Sequence, residues 1–215
     1  MELVDQLLER SRRKAKARVA ALRLEHPAED EVDLGRRLVR SAATRAGLWG
    51  AATGTVALVV APLGLPAGVA ASLAVEAELI FALLALYGLD SEGEQGRLRL
   101  YALWLGAGFA DAVKSAGLRM GARAIGRVLW ESLPGQIIRR LNPLLLKAIL
   151  RRLGLGWLPR ALKLWPILGA PIAFALDRAA LRTLGKATLA TLDDEARARR
   201  KSAGRPRTVR ARKTP

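Results

Sequence analysis

The chain has no cysteine among its 215 residues and a single histidine, His26. Disulfides and thiolate metal sites are therefore excluded, and neither a histidine metal cluster nor a Cys–His nucleophile pair can be assembled. His26 stands before Pro27 at an expected helix break, where a surface or capping role suits it better than catalysis. Aromatic residues make up only 5%, so apolar burial has to come mainly from Leu, Ala and Val. Runs of β-branched residues are scarce and no useful strand-like alternation occurs, which leaves helix as the expected state throughout. A glycine-rich run followed by Lys-Ser or Lys-Thr is also missing, so the chain has no phosphate-binding loop of that kind. No catalytic residue, metal or cofactor is assigned.

What is present is a large apolar fraction, 51% of residues, with a mean hydropathy of +0.15. That fraction offsets the entropy of ordering the chain, and its length suits one domain with a sizeable core. The expected fold class is all-α: a compact multi-helix bundle with a Gly/Pro-broken apolar helical hairpin and a disordered basic C-terminal tail. Net charge is +17, and it is unevenly placed. Residues 1–9 carry three acids and no base, and residues 10–24 carry seven bases and no acid. Residues 196–215 carry nine bases and no acid, while the body between is near balance. Such ends attract polyanions, whether anionic lipid or nucleic acid. Met1 to Glu9 lacks the basic flank and apolar run of a secretory signal, so a cytoplasmic start is expected.

Three segments follow from this. Residues 1–27 read as a basic amphipathic helix ending at His26-Pro27, residues 28–195 as a helical body, and residues 196–215 as a disordered tail. A second helix should start near Asp30. From Ala46 to Val75 there are thirty residues without a charge, interrupted by Pro62, Gly64 and Pro66. Two helices, about 44–61 and 67–88, are expected to fold back on each other there, with small residues such as Gly47 allowing close approach. Glu76 and Glu78 fall inside the second arm. Their charge is costly at mid-membrane, so the hairpin is either a membrane-entering element or the buried core of a soluble bundle. Ser91 and Glu94 have capping-box spacing for a further helix running towards Lys114. Leu48, Leu58, Leu73, Leu79, Leu83, Leu103 and Ile172 are expected to be buried or lipid-facing. A last helix should reach about Leu192.

Between Ser132 and Leu176 there is no acid, whereas Arg139, Arg140, Lys147, Arg151, Arg152, Arg160 and Lys163 fall there. Arg140, Lys147 and Arg151 share one helical face beside a stripe of Leu141, Leu145 and Ile149, with Trp157 and Trp165 following. A basic amphipathic helix with tryptophan suits the membrane interface. The same pattern also suits an ordinary helix with a solvated arginine face.

Several motifs occur in a familiar order: Ala51-Ala52-Thr53-Gly54, Ala61-Pro62-Leu63-Gly64-Leu65-Pro66, Leu86-Tyr87-Gly88-Leu89-Asp90, Leu133-Pro134-Gly135-Gln136-Ile137-Ile138 and Trp165-Pro166-Ile167-Leu168-Gly169, with Asp177 and Leu184-Gly185-Lys186-Ala187 beyond. Together, over about residues 36–192, they resemble the EcsC family. The resemblance implies an all-α bacterial protein whose relatives accompany an ABC transporter, with no catalytic residues to carry over. Glu76 and Glu78 depart from the family pattern, as do Pro143 and Pro171.

Of the carboxylates, Glu76, Glu78 and Asp111 have apolar surroundings and are the candidates for buried function; pairing with a basic residue of another helix is the expected role. Asp111 and Lys114 are also spaced for a local ion pair. In the tail, Gly204-Arg205-Pro206-Arg207 resembles the core of an AT-hook, with Ala203 where an arginine is expected. The leading expectation is therefore a non-catalytic helical protein at the inner face of the cell membrane, contacting anionic lipid through the 139–165 cations and tryptophans. The alternative is a soluble helical scaffold that binds nucleic acid through residues 196–215, Arg205 and Arg207 included.

Overall fold

The structure, a computed structural model, describes residues 2–54, 59–60, 65–106, 108–115, 124–155 and 169–203. Helix α1, Glu2–Glu25, ends where Pro27 forbids continuation. Asp30 then opens α2, Glu31–Gly54, its Oδ1 accepting the Asp33 backbone N–H at 2.8 Å. Such a cap satisfies one of the free amides of the first turn, and Glu31 and Asp33 suit the positive end of the helix dipole. The turn expected at Pro62–Pro66 is framed by a minimal antiparallel ladder, with β1 (Val59–Val60) paired to β2 (Leu65–Pro66).

Helix α3, Ala67–Leu86, is apolar on all sides, which marks a helix enclosed by others. Its end is a Schellman motif. Gly88 takes φ of +68°, the Leu89 N–H reaches the Leu84 carbonyl at 2.9 Å and the Gly88 N–H reaches that of Ala85 at 3.2 Å. Only a residue without Cβ adopts that backbone at no steric cost, and Leu89 is buried beside it. Beyond lie α4 (Gly93–Leu105), α5 (Gly108–Ser115), α6 (Ala124–Trp130), α7 (Gly135–Leu155) and α8 (Gly169–Ala203). The all-α bundle expected from the composition is the observed architecture.

Helices α1, α2, α8 and α4 pack around α3, and α7 packs on the far side of α4. Ser11 Oγ donates to the Ala74 carbonyl and Arg23 to that of Leu86, a constant offset that makes α1 and α3 parallel. Helices α2 and α8 are antiparallel and meet through glycines: Gly35 lies against Leu189, Gly185 against Val39 and Leu79, and Gly47 against Phe174. Leu79, Ile80, Phe81, Leu83 and Leu84 form the centre, each no more than 2% exposed. From α1, Leu8, Ala15 and Val19 join this core, so the N-terminal helix is part of the bundle.

Gln95 ties on the second half of the chain. Its amide donates at 3.1 Å to the carbonyls of Val128 and Glu131, and its oxygen accepts the Leu133 N–H at 3.4 Å.

Several expectations are corrected. Residues 31–54 form one helix, not one near Asp30 followed by another from 44, because nothing between breaks the backbone ladder. The helix after Asp90 is split at Gly106, whose φ of +53° ends α4. Glu92, not Ser91, occupies the cap position of α4, and no side chain caps it. The last helix passes Leu192 and Glu195 and continues to Ala203. An Asp193–Arg197 pair at 2.8 Å and cations near the negative end of the dipole favour that extension. Leu79, Leu83 and Leu103 are buried and Leu73 packs on the core. Leu48 is 59% exposed, because it sits about 100° round the helix from Gly47, which faces α8. Leu58 and the side chain of Ile172 lie outside the described residues.

The α2–α8 seam yields a stability prediction. A Cβ on Gly185 would stand 2.8 Å from Val39 Cγ2 and 3.0 Å from Leu79 Cδ2. Gly185→Val raises helix propensity by a few tenths of a kcal/mol, but overpacking a closed seam costs about 1–3 kcal/mol, so the variant is destabilised by about 2 kcal/mol. Urea unfolding followed by circular dichroism measures this; unchanged stability would show the seam to be loose.

Candidate functional site

On α3 the two glutamates point apart, as their spacing requires. Glu78, 7% exposed, accepts from Arg45 of α2 at 2.8 Å and lies 3.9 Å from Arg18 of α1. Arg18 also donates to Ser41 Oγ at 2.5 Å, so one carboxylate joins three helices. Two guanidiniums against one carboxylate leave a local positive excess. Burial first, and then the like charge of Arg45, lower the Arg18 pKa, with Glu78 opposing.

Glu76 turns to the other side. Its Oε2 accepts the Trp104 indole N–H at 2.6 Å and its Oε1 the Ser72 hydroxyl at 3.2 Å, which links α3 to α4. Each carboxylate is thus engaged by donors from a neighbouring helix. Asp111, expected in apolar surroundings, is exposed in the first turn of α5. The reason is helical phase: Phe109 and Val113 take the inward positions.

On α7 the cations and the apolar stripe occupy opposite faces. Leu141, Leu145 and Ile149 are at most 3% exposed and pack towards α4. Arg139, Arg140 and Lys147 are exposed, and among the described residues only Arg139 of these three approaches a carboxylate, that of Glu94 at 4.0 Å. Of the two settings the sequence pattern allowed for this stripe, the packed one is observed. Arg151 and Arg152 continue α7, but their side chains lie outside the described residues. So do Trp157, Arg160, Lys163, Trp165, Arg205 and Arg207. Exposed apolar side chains include Leu144 of α7 itself, and Leu48 and Trp49 of α2, which are 59% and 55% exposed.

A second cationic feature lies between α2 and α8 and was not singled out by sequence reasoning. A groove of about 560 Å³ is bordered by Arg36 and Arg40 on one side and Arg182 and Lys186 on the other. Each pair has i, i+4 spacing, the signal that was available in the sequence. What the sequence lacked was the pairing of two helices more than a hundred residues apart. Near the groove's acidic end, by Asp193, the Tyr87 hydroxyl is buried without a hydrogen-bond partner. Burial, and then the charges of Asp193, Glu31 and Asp30, push its pKa up to about 12.

Among the described residues no group of His, Cys, Asp and Glu is suited to hold a metal ion. No helix among them is long and apolar enough to cross a membrane.

Two predictions follow from these geometries. Glu78→Ala leaves Arg45 and Arg18 facing each other, and should cost about 2–4 kcal/mol, whereas Glu78→Leu with Arg45→Met restores most of that loss. Urea unfolding of both variants decides it, and equal destabilisation by the two would refute the account. Tyr87 is protonated in the folded state up to about pH 12, against its ordinary value of 10.0. A raised folded-state pKa means that the unfolded chain loses this proton first, so its contribution is full below pH 10 and is lost as pH rises towards 12. Comparing alkaline unfolding of the native chain with that of Tyr87→Phe checks this; the variant should lose less stability across that window.

Comparison with known protein families, with curated proteins and with solved structures finds no match.

Proposed function

We propose that this protein is a non-catalytic helical scaffold that attaches to an anionic membrane surface through charges on its folded body. The observation that carries this reading is α7, where Arg139, Arg140 and Lys147 are exposed on the face opposite a stripe sealed into the core. Cations beside an anionic surface contribute about 1 kcal/mol each. Leu48 and Trp49 supply the second, apolar signal that stable peripheral attachment needs. The EcsC-like motif order supports the same setting, the inner face of a bacterial cell membrane, and adds an ABC transporter as the partner in keeping with that resemblance.

A second reading, nucleic-acid binding through the basic end of the chain, is favoured by α8. Its last two turns carry Arg197, Arg199, Arg200 and Lys201, all exposed.

Co-sedimentation with phosphatidylglycerol-containing vesicles separates the two. Arg139→Ser, Arg140→Ser and Lys147→Ser together remove about 3 kcal/mol, so vesicle affinity at low salt should fall roughly 100-fold. Arg205→Ser with Arg207→Ser should leave most vesicle binding intact. Vesicle binding indifferent to the α7 substitutions overturns the proposal. DNA retention lost with the tail substitutions, in a chain that does not bind vesicles, would establish the second reading instead.

A further inference from the structure

The groove between α2 and α8 plays no part in the surface attachment just described. Register places its cations in order. Because the helices are antiparallel, with Gly35 against Leu189 and Gly185 against Val39, the four alternate across the seam as Arg36, Lys186, Arg40 and Arg182. Arg36 is engaged by Asp33 at 2.7 Å. The acid on the lining, Asp193, is taken by Arg197 at 2.8 Å. Among the described residues no carboxylate forms an ion pair with Arg40, Arg182 or Lys186. Three cations therefore face one groove without an ion-pair partner among the described residues, Arg40 acting on the Glu29 carboxylate only at longer range. Like charges held together this way oppose folding and are relieved by a bound anion.

Along the groove the chain also offers apolar surface. Val32, half-buried, and Ala190, exposed, line it, and the volume of about 560 Å³ falls within the range of small-ligand sites. We propose that this groove binds a phosphate monoester joined to a short apolar body. Two guanidinium forks and an ammonium from opposite walls suit a tetrahedral dianion with three acceptor oxygens better than a planar carboxylate with two. The alkyl portion lies on Val32 and Ala190. Two sources share this chemistry, a free alkyl phosphate and the headgroup of phosphatidic acid.

Titration calorimetry of the full chain with hexyl phosphate and with inorganic phosphate, beside sedimentation with phosphatidic-acid vesicles, tests the assignment. Hexyl phosphate should bind more tightly than inorganic phosphate. Arg40→Ser with Lys186→Ser should weaken it at least tenfold, roughly the loss expected for removing charged hydrogen bonds. All three free cations are exposed, so helix content by circular dichroism should be unchanged; Arg182→Ser serves as an independent second variant. The Arg139, Arg140 and Lys147 substitutions should leave hexyl phosphate affinity intact, which separates this site from the surface reading. Vesicle binding lost in the groove variants, without hexyl phosphate binding, assigns the lipid headgroup as the source. Unaltered affinity in the groove variants, or no binding of either phosphate ester probe, overturns the proposal.

Discussion

A helix that is apolar all round can exist in water only if other helices cover every side of it. Helix α3 has this character, and the bundle is arranged to meet it: α1, α2, α8 and α4 each take part of its circumference. The two glutamates on α3 make the demand more specific, because a carboxylate enclosed by hydrocarbon must find donors. Glu78 finds them on α1 and α2, and Glu76 finds the indole of α4. The polar contacts of α3 thus choose which faces of the neighbouring helices turn inward, a specificity that apolar packing alone does not supply.

The same constraint explains where the positive charge goes. With the interior holding so few carboxylates, most of the bases must stand on the surface. Helix α7 turns Leu141 and Leu145 towards α4 and Arg139, Arg140 and Lys147 outward, with Leu144 exposed beside them. Along the α2–α8 seam, glycines bring the two backbones close and leave the longer basic side chains to border a groove. Both cationic surfaces therefore arise from packing that serves the core first. Of the two, the seam is concave, a groove of about 560 Å³.

The α6–α7 segment meets α4 through polar groups as well as the apolar stripe of α7. Gln95 bonds to the end of α6 and to the connection that follows it, and the Asn142 amide reaches the Glu94 carbonyl at 3.3 Å. These polar contacts all involve one turn of α4, beside the apolar packing of α7 on α4 and α5.

Much of the architecture was legible in local chemistry. Pro27 ends a helix because the preceding residue cannot be helical, Gly88 ends another because only glycine takes that backbone freely, and the absence of strand-like alternation leaves an all-α fold. Helix α3 and most of its core leucines could be read from unbroken hydrophobicity. The segregation of Arg140 and Lys147 from Leu141 and Leu145 could be read from helical periodicity. Tertiary structure alone decided which partner each face received: Arg45 and Arg18 for Glu78, Trp104 for Glu76, an exposed position for Asp111 and Leu48, and α4 for the α7 stripe. The groove cations belong to that second group. Periodicity reports the face a residue occupies, but nothing local reports which distant helix will come to lie against that face.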